Sequence, residues 1–193
     1  DFLYQQAVHH HTKSDPWSTR AAVQALLEIL AITQRGDVRG EVLKELERQM
    51  ALLATYNTRP GVDTSRLRVL LTKLHRMREE LANVGALFMQ KLRDSEFLNA
   101  VKHRSTIPGG TCEFDLPAYF AWQHKAAAIR HRDLAAWTST VKPLSQSIGM
   151  LLNMLRDSGT PQKVVAPAGQ FQQNLPQGRT FQLLRLRIDP DLD

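Results

Sequence analysis

The sequence predicts a mainly α-helical protein with a small β part, that is, an α+β fold. Apolar residues, many of them leucine, recur three and four positions apart through much of the first 160 residues, as in helices with one buried face. Aromatic residues make up only 7% of the chain, which favours a core built on aliphatic side chains. After residue 160 the helical period disappears and a strand-like alternation follows. We therefore expect a helical bundle domain over residues 1–160 and a small antiparallel β domain over residues 161–193.

The first two helices are predicted from the opening part of the chain. Residues 2–8 are typical of the last part of a helix. Asp15 and Pro16 mark the start of the next helix, because aspartate caps a helix N-terminus and proline fits a first turn, where its missing N–H would be unpaired anyway. An apolar stripe at helical spacing follows, and Gly36 is expected to end this helix.

Two longer helices and several shorter ones complete the predicted bundle. Asp37 and Asp63 are the expected N-caps of the longer helices. The second of these helices carries apolar residues alternately three and four positions apart, which is typical of a seam that packs against a neighbouring helix. Pro143 is expected to open a separate helix that stops before Gly159. The remaining helices are expected around residues 96–104, 117–124 and 133–139.

The β part is predicted from one strand near the end of the sequence. Residues 180–188 alternate between two faces, one with Leu184 and Leu186 and the other with Arg185 and Arg187. A single strand can neither pair its backbone groups nor bury a face. Val164, Val165 and Phe171 are the candidates for one partner strand, and the sheet is expected to be incomplete within these 193 residues.

Charge and cysteine content limit the classes of partner. The formal net charge is +6 and the sequence pI is about 9.8, so the protein attracts acidic partners, which include nucleic acids, anionic lipids and acidic protein segments. Cys112 is the single cysteine, so a disulfide within one chain is excluded, which fits a reducing compartment. No stretch approaches the roughly 18 apolar residues of a membrane span, and we expect no membrane partner.

The sequence contains no convincing catalytic, cofactor-binding or metal-binding signature, and we predict none of these sites. Residues 9–11 are three consecutive histidines, which point in different directions on a helix, whereas chelation prefers positions i and i+4. Gly109 and Gly110 are not followed by the Lys-Ser/Thr of a phosphate loop, and they are more typical of a turn. Cys112 has His103 nearby in sequence, so a Cys–His enzyme is an alternative.

Basic side chains are the candidate partner-binding residues. They form three groups, and each group is alternatively explained as solvated surface charge. The second group lies at an expected helix C-terminus, where the helix dipole stabilises cations. The third group shares one face of the predicted strand. The candidates are Arg35 and Arg39; Lys102, His103 and Arg104; and Arg185 and Arg187.

Several motifs resemble the ZapD family of bacterial cell division factors. The most specific is Ser-Thr-Ile-Pro-Gly-Gly-Thr-Cys-Glu-Phe-Asp-Leu-Pro at residues 105–117, and the second is Arg-Gly-Asp-Val-Arg at residues 35–39, which runs into a basic helix. Pro-Gly-Val-Asp at residues 60–63 is similar to the turn of the family's second helix hairpin. Trp122, Trp137 and Pro143-Leu144 also stand where that family has them, so the resemblance covers most of the chain.

The resemblance implies a function as well as a fold. It implies a helical domain joined to a smaller β domain in a homodimer, with no enzymatic activity. It also implies a cytoplasmic protein that gathers at midcell, binds the acidic and hydrophobic C-terminal tail of the tubulin-like protein FtsZ, and bundles FtsZ protofilaments into the Z-ring. Arg35 is the basic residue that the resemblance assigns to this contact. The resemblance also implies that the family's N-terminal strand, the start of its first helix and its final strands lie outside these 193 residues. Thr111 stands where the family often has a second cysteine.

Two other functions compete with this interpretation. A basic nucleic-acid-binding helical module would explain the high pI, although basic residues alternate with acidic ones and no helix-turn-helix, RRM or zinc pattern is present. A thiol enzyme that uses Cys112 is the other alternative. FtsZ and a second copy of the chain are therefore the expected partners, and nucleic acid is the less favoured one.

Overall fold

A computed structural model describes residues 1–85, 88–174, 178 and 182–188. Within these ranges the regular structure is helical, with one 3-10 turn at Pro167–Gly169. The α-helices are α1 Phe2–His11, α2 Pro16–Gln34, α3 Val38–Ala54, α4 Thr64–Asn83, α5 Gln90–Arg93, α6 Glu96–Ser105, α7 Pro117–Gln123 and α8 Ala127–Asp157.

Aspartate caps begin three of the helices, as the sequence predicts. The carboxylate of Asp15 accepts a hydrogen bond of 2.8 Å from the backbone amide of Ser18, and that of Asp37 accepts one of 2.9 Å from Gly40. Asp63 accepts from the amides of Ser65 and Arg66. These contacts satisfy amide groups that have no partner inside the helix, and so they fix where α2, α3 and α4 start.

The Asp63 cap predicts a pH dependence of stability. Hydrogen bonds from the Ser65 side chain and from the Arg66 amide lower the pKa of the Asp63 carboxyl below its ordinary value. Because the pKa is lower in the folded state, the cap stabilises the fold above the unfolded-state pKa, and this contribution is lost as the pH falls through the folded-state pKa. We expect Asp63→Asn, which still caps but does not titrate, to lose less stability on acidification than the parent protein. Urea unfolding at a series of pH values measures this, and a stability difference independent of pH would contradict it.

The strongest helix pairs join neighbours in the sequence. Helix α1 packs along α2, and α3 packs along α4. Leu26 of α2, Leu46 of α3 and Leu74 of α4 are essentially inaccessible to solvent, and so is Leu134 of α8. Across the second pair, Arg78 of α4 donates to Glu47 of α3 at 2.8 Å. The expected aliphatic core is confirmed, since leucine supplies half of the largest fully buried side chains among the described residues and valine and methionine add three more.

An aromatic cluster adds a second part to this core. Phe97 of α6 lies 5.4 Å from Trp122 of α7, and Trp122 lies 5.6 Å from Trp137 of α8, measured between ring centroids. The indole N–H of Trp122 donates to Asp133 at 3.0 Å. Tyr119 is also part of the cluster, and burial raises its pKa to about 12. The cluster therefore joins three helices that share no continuous apolar stripe.

The expectation of a separate helix opening at Pro143 is wrong, because Pro143 lies inside the continuous helix α8. Proline removes one backbone hydrogen bond and costs a helix interior about 3 kcal/mol. Around it, Val141, Leu144 and Ser147 are all buried. Burial of this face offsets the local penalty, and the helix continues through the proline.

The expected small antiparallel β domain is also wrong. Residues 183–188 have no ladder partner among the described residues, and Leu184, Leu186 and Ile188 are exposed. The expected partner residues Val164, Val165 and Phe171 are irregular and lie on either side of the 3-10 turn. Residues 180 and 181 of the predicted strand lie outside the described residues. Alternation alone does not make a strand, because a strand requires a partner for its N–H and C=O groups.

The chain divides into two compact units, Asp1–Gly149 and Met150–Asp193. The first contains α1 to α7 and most of α8. The second begins within α8, and its other described residues are irregular apart from the 3-10 turn. The expected domain division at residue 160 stays a prediction.

Candidate functional site

Arg35 lies at the C-terminal end of α2 and is exposed. Its backbone N–H donates to the carbonyl of Ile32 at 3.2 Å. In the described part of the chain, its guanidinium makes neither a hydrogen bond nor an ion pair within the protein. An exposed arginine at this helix end keeps all its donors available to an acidic group, and the negative end of the helix dipole stabilises its charge.

Arg39 is half-buried and most of its guanidinium is already engaged. Its Nε donates to the carbonyl of Leu81 at 3.0 Å, and its Nη2 donates to the carbonyl of Ala82 at 2.8 Å. Both acceptors belong to the last turn of α4, where carbonyl groups lack partners within the helix. Arg39 therefore fastens α3 to the end of α4, and its partner-binding role stays a prediction.

The group at residues 102–104 forms the last turn of α6, as the sequence indicates. The ammonium of Lys102 donates to the Gln34 side chain at 2.5 Å. Since Gln34 precedes Arg35, this contact brings Lys102 and Arg35 to the same edge of the bundle. His103 is exposed, and Arg104 forms a partly exposed ion pair with Asp115 at 3.6 Å.

Arg93 belongs to the same region and was not predicted from the sequence. Its Nη2 donates to the carbonyl of Thr33 at 3.2 Å, while its buried Nε has no hydrogen-bond partner among the described residues. Arg93 and Arg39 line a cavity of about 250 Å³, together with Gly36 and Asp37. The four-residue helix that carries Arg93 has no apolar stripe from which it could be recognised, and it follows Met89, whose φ is +60°.

Arg185 and Arg187 are exposed in the irregular segment of the second unit. They lie two residues apart, but no strand holds them on a common face in the described part of the chain. Their role as partner-binding residues stays a prediction.

The loop at residues 106–116 is closed by its own backbone hydrogen bonds. The amide of Gly110 donates to Ile107 at 2.9 Å, and the amide of Cys112 donates to Gly109 at 3.0 Å. Gly109 has a φ of +75°, and a Cβ on Gly110 would lie 2.5 Å from the carbonyl oxygen of Arg104. The predicted turn is confirmed, and both glycines are required for it.

The thiol of Cys112 and the histidines at residues 9–11 are the other groups that the sequence raises as candidates for chemistry. Cys112 is exposed and its Sγ lies 3.6 Å from the Asp115 carboxylate, which also pairs with Arg104. His9 lies 2.8 Å from the ammonium of Lys13. Over residues 1–85, 88–174, 178 and 182–188, no group of three or more His, Cys, Asp or Glu side chains is placed to hold a metal ion. Nor, in those ranges, does any helix combine the length and apolarity needed to span a bilayer.

Comparison with known proteins gives one consistent family. The family model described as "ZapD: Cell division protein" matches residues 1–193. A cell division protein ZapD from Janthinobacterium sp. (strain Marseille) is 38% identical over 190 residues, covering 98% of this chain and 75% of that relative. A cell division protein ZapD from Chromobacterium violaceum is 36% identical over 193 residues, covering all of this chain and 76% of the relative. Neither name describes an enzyme.

Proposed function

Because this chain belongs to the ZapD family of cell division proteins, we propose that it binds FtsZ and crosslinks FtsZ protofilaments, and so promotes Z-ring assembly. In this proposal it acts without catalysis, in the cytoplasm at the division site, as a homodimer. The bound element is the acidic and hydrophobic C-terminal tail of FtsZ.

The main support for this proposal is a pair of cations, Arg35 and Lys102, at one edge of the helical unit. Arg35 is exposed and has no acceptor for its guanidinium among the described residues, and the half-buried Lys102 reaches the same edge through its contact with Gln34. The surplus of basic residues, with a net charge of +6, favours an acidic partner. Arg39 and Arg93 bind backbone carbonyl groups at this edge and so fix the backbone that carries Arg35 and Lys102.

Weak contacts summed along a filament explain how such a site makes a reversible bundle. A two-fold dimer presents two equivalent sites. A disordered tail that orders on binding gives an affinity near the micromolar range, about −8 kcal/mol. Since FtsZ polymers carry many tails, later contacts become effectively intramolecular and raise the avidity. Dilution of FtsZ below its polymerisation threshold would then release the crosslinker.

Charge reversal at Arg35 tests the site. We expect Arg35→Glu to weaken binding of an FtsZ tail peptide by at least about tenfold, because it replaces an attraction with a repulsion. Fluorescence anisotropy of a labelled peptide, titrated at low and high salt, measures this. Binding by the parent protein is expected to weaken with salt.

Arg68→Glu is the matched control. It changes the net charge equally on an exposed position of α4, and it is expected to bind nearly as well as the parent protein. Equal binding by the two variants would remove Arg35 from the site. Absence of tail binding by the folded parent protein would overturn tail capture, and tight, salt-sensitive binding to duplex DNA would favour the nucleic-acid alternative.

A further inference from the structure

Two large aromatic side chains are exposed to solvent: Trp17 at the start of α2 and Phe114 in the loop that follows α6. Trp17 is 76% exposed and Phe114 is 88% exposed, whereas Tyr119 and Trp122 are buried in the core. Phe120 lies beside Trp17 and Phe114 and is partly exposed. Exposed rings gathered in one place are typical of an interaction surface.

These rings line one end of a two-part groove. The apolar end, about 300 Å³, has Pro16, Trp17, Phe114 and Phe120 in its walls. The polar end, about 320 Å³, lies between the middle of α2 and the C-terminal end of α6. Arg20 lines both ends and donates a hydrogen bond to Thr111 where they meet. The two cavities share Arg20 and Thr111 in their walls, so together they form a groove with an aromatic end and a polar end.

Charge is distributed unevenly along this groove. The polar end borders the basic last turn of α6, and Arg20 places a further cation at the junction. Glu113 contributes an acidic side chain to the wall of the apolar end. A segment that carries carboxylates and large apolar residues fits both ends, because each end receives one of the two classes.

Rigid walls make the groove suitable for capturing a flexible segment. One wall is the loop at residues 106–116, closed by its own hydrogen bonds and dependent on Gly109 and Gly110. The other is the capped and proline-started first turn of α2. A preformed surface reduces the entropy that is lost on binding, so the ordering cost falls mainly on the peptide.

We propose that this groove holds the apolar residues of the acidic tail, with Trp17 and Phe114 as its aromatic anchors. This inference rests on the proposed function, since the bound segment is the same. With 1.5 Å per residue, α2 separates Trp17 from Gln34 by about 25 Å. An extended segment of roughly eight residues spans that distance, at about 3.3 Å per residue. One tail can therefore reach both the aromatic groove and the cations beside Arg35.

Removal of the anchors is the first test. We expect Trp17→Ala and Phe114→Ala each to weaken binding of the FtsZ tail peptide by about tenfold, as for buried aromatic anchors in other interfaces. The salt dependence should stay as in the parent protein, because neither change removes a charge. Val69→Ala, which shortens an exposed apolar side chain on α4, is the matched control and should bind normally.

Fluorescence of Trp17 gives an independent test of contact. Acrylamide should quench Trp17 in the free protein, and the peptide should protect it. The contribution of Trp17 is the difference between the parent protein and Trp17→Phe, because Trp122 and Trp137 are present in both. Weakened binding of the alanine variants together with protection of Trp17 would establish the groove as the site.

Each contrary result has a distinct meaning. If the parent protein binds the peptide while both alanine variants bind equally well and Trp17 stays accessible, the groove inference is wrong and the proposed function stands. If the parent protein does not bind the peptide, the proposed function fails and the inference fails with it. If the alanine variants weaken self-association in sedimentation equilibrium but not peptide binding, the groove is an interface between two copies of the chain, which overturns the inference.

Discussion

Replacing Trp122 by alanine should lower the free energy of unfolding by about 4 kcal/mol, as for other large-to-small changes at buried aromatic positions. The indole contacts Phe97, Tyr119 and Trp137, and it is 5% exposed. Its removal leaves a cavity where α6, α7 and α8 meet. Urea unfolding followed by circular dichroism at 222 nm measures the change.

The matched control for this prediction is Trp17→Ala. It removes the same side chain from an exposed position, so the free energy of unfolding should change by less than about 0.5 kcal/mol. Trp122→Phe keeps part of the ring contact and should fall between the two. Similar losses for Trp122→Ala and Trp17→Ala would show that the aromatic cluster does not hold these helices together.

Replacing Arg130 by alanine should lower the free energy of unfolding by about 3 kcal/mol, because three acceptors lose their donor inside the protein. Arg130 is 5% exposed, and in the described part of the chain it forms no ion pair. It donates to the Ser14 carbonyl and the Thr19 hydroxyl, and its Nε donates to the Lys125 carbonyl at 3.2 Å. These bonds fasten α8 to the start of α2.

Arg132→Ala is the control for this change, since it removes an arginine two positions away whose side chain is 75% exposed. The effect of Arg132→Ala should stay within about 0.5 kcal/mol. Arg130→Lys keeps the charge but not the planar fork of donors, so an intermediate loss is expected. Equal stabilities for Arg130→Ala and Arg132→Ala, by urea unfolding at pH 7, would contradict a stabilising role for these buried hydrogen bonds.

Local chemistry explains which parts of the fold could be predicted from the sequence. The caps at Asp15, Asp37 and Asp63 satisfy amide groups within three residues, so a short window of sequence contains both partners. The turn at Gly109 and Gly110 is equally local. The continuation of α8 through Pro143 depends instead on burial of the side chains that flank the proline. A short window of sequence does not show which side chains will be buried.

The expected strand and the candidate site show the same limit. Alternation at residues 183–188 predicts two faces, but a partner strand is a non-local requirement that the pattern cannot supply. Arg35 was predicted as a site residue from the family resemblance, and its exposure is consistent with that role. The engagement of Arg39 with carbonyl groups 42 and 43 positions away, and of Lys102 with a side chain 68 positions away, follows only from tertiary packing.

The pairing of neighbouring helices also bears on the order in which the protein assembles. Helices α1 with α2, and α3 with α4, are joined by short connections, so each pair closes a small loop at low entropic cost. Both hairpins need only residues up to 83, whereas the contacts of Arg130 with Ser14 and Thr19 span 116 and 111 positions. We therefore expect helix α8 to join the bundle after the two helix pairs have formed.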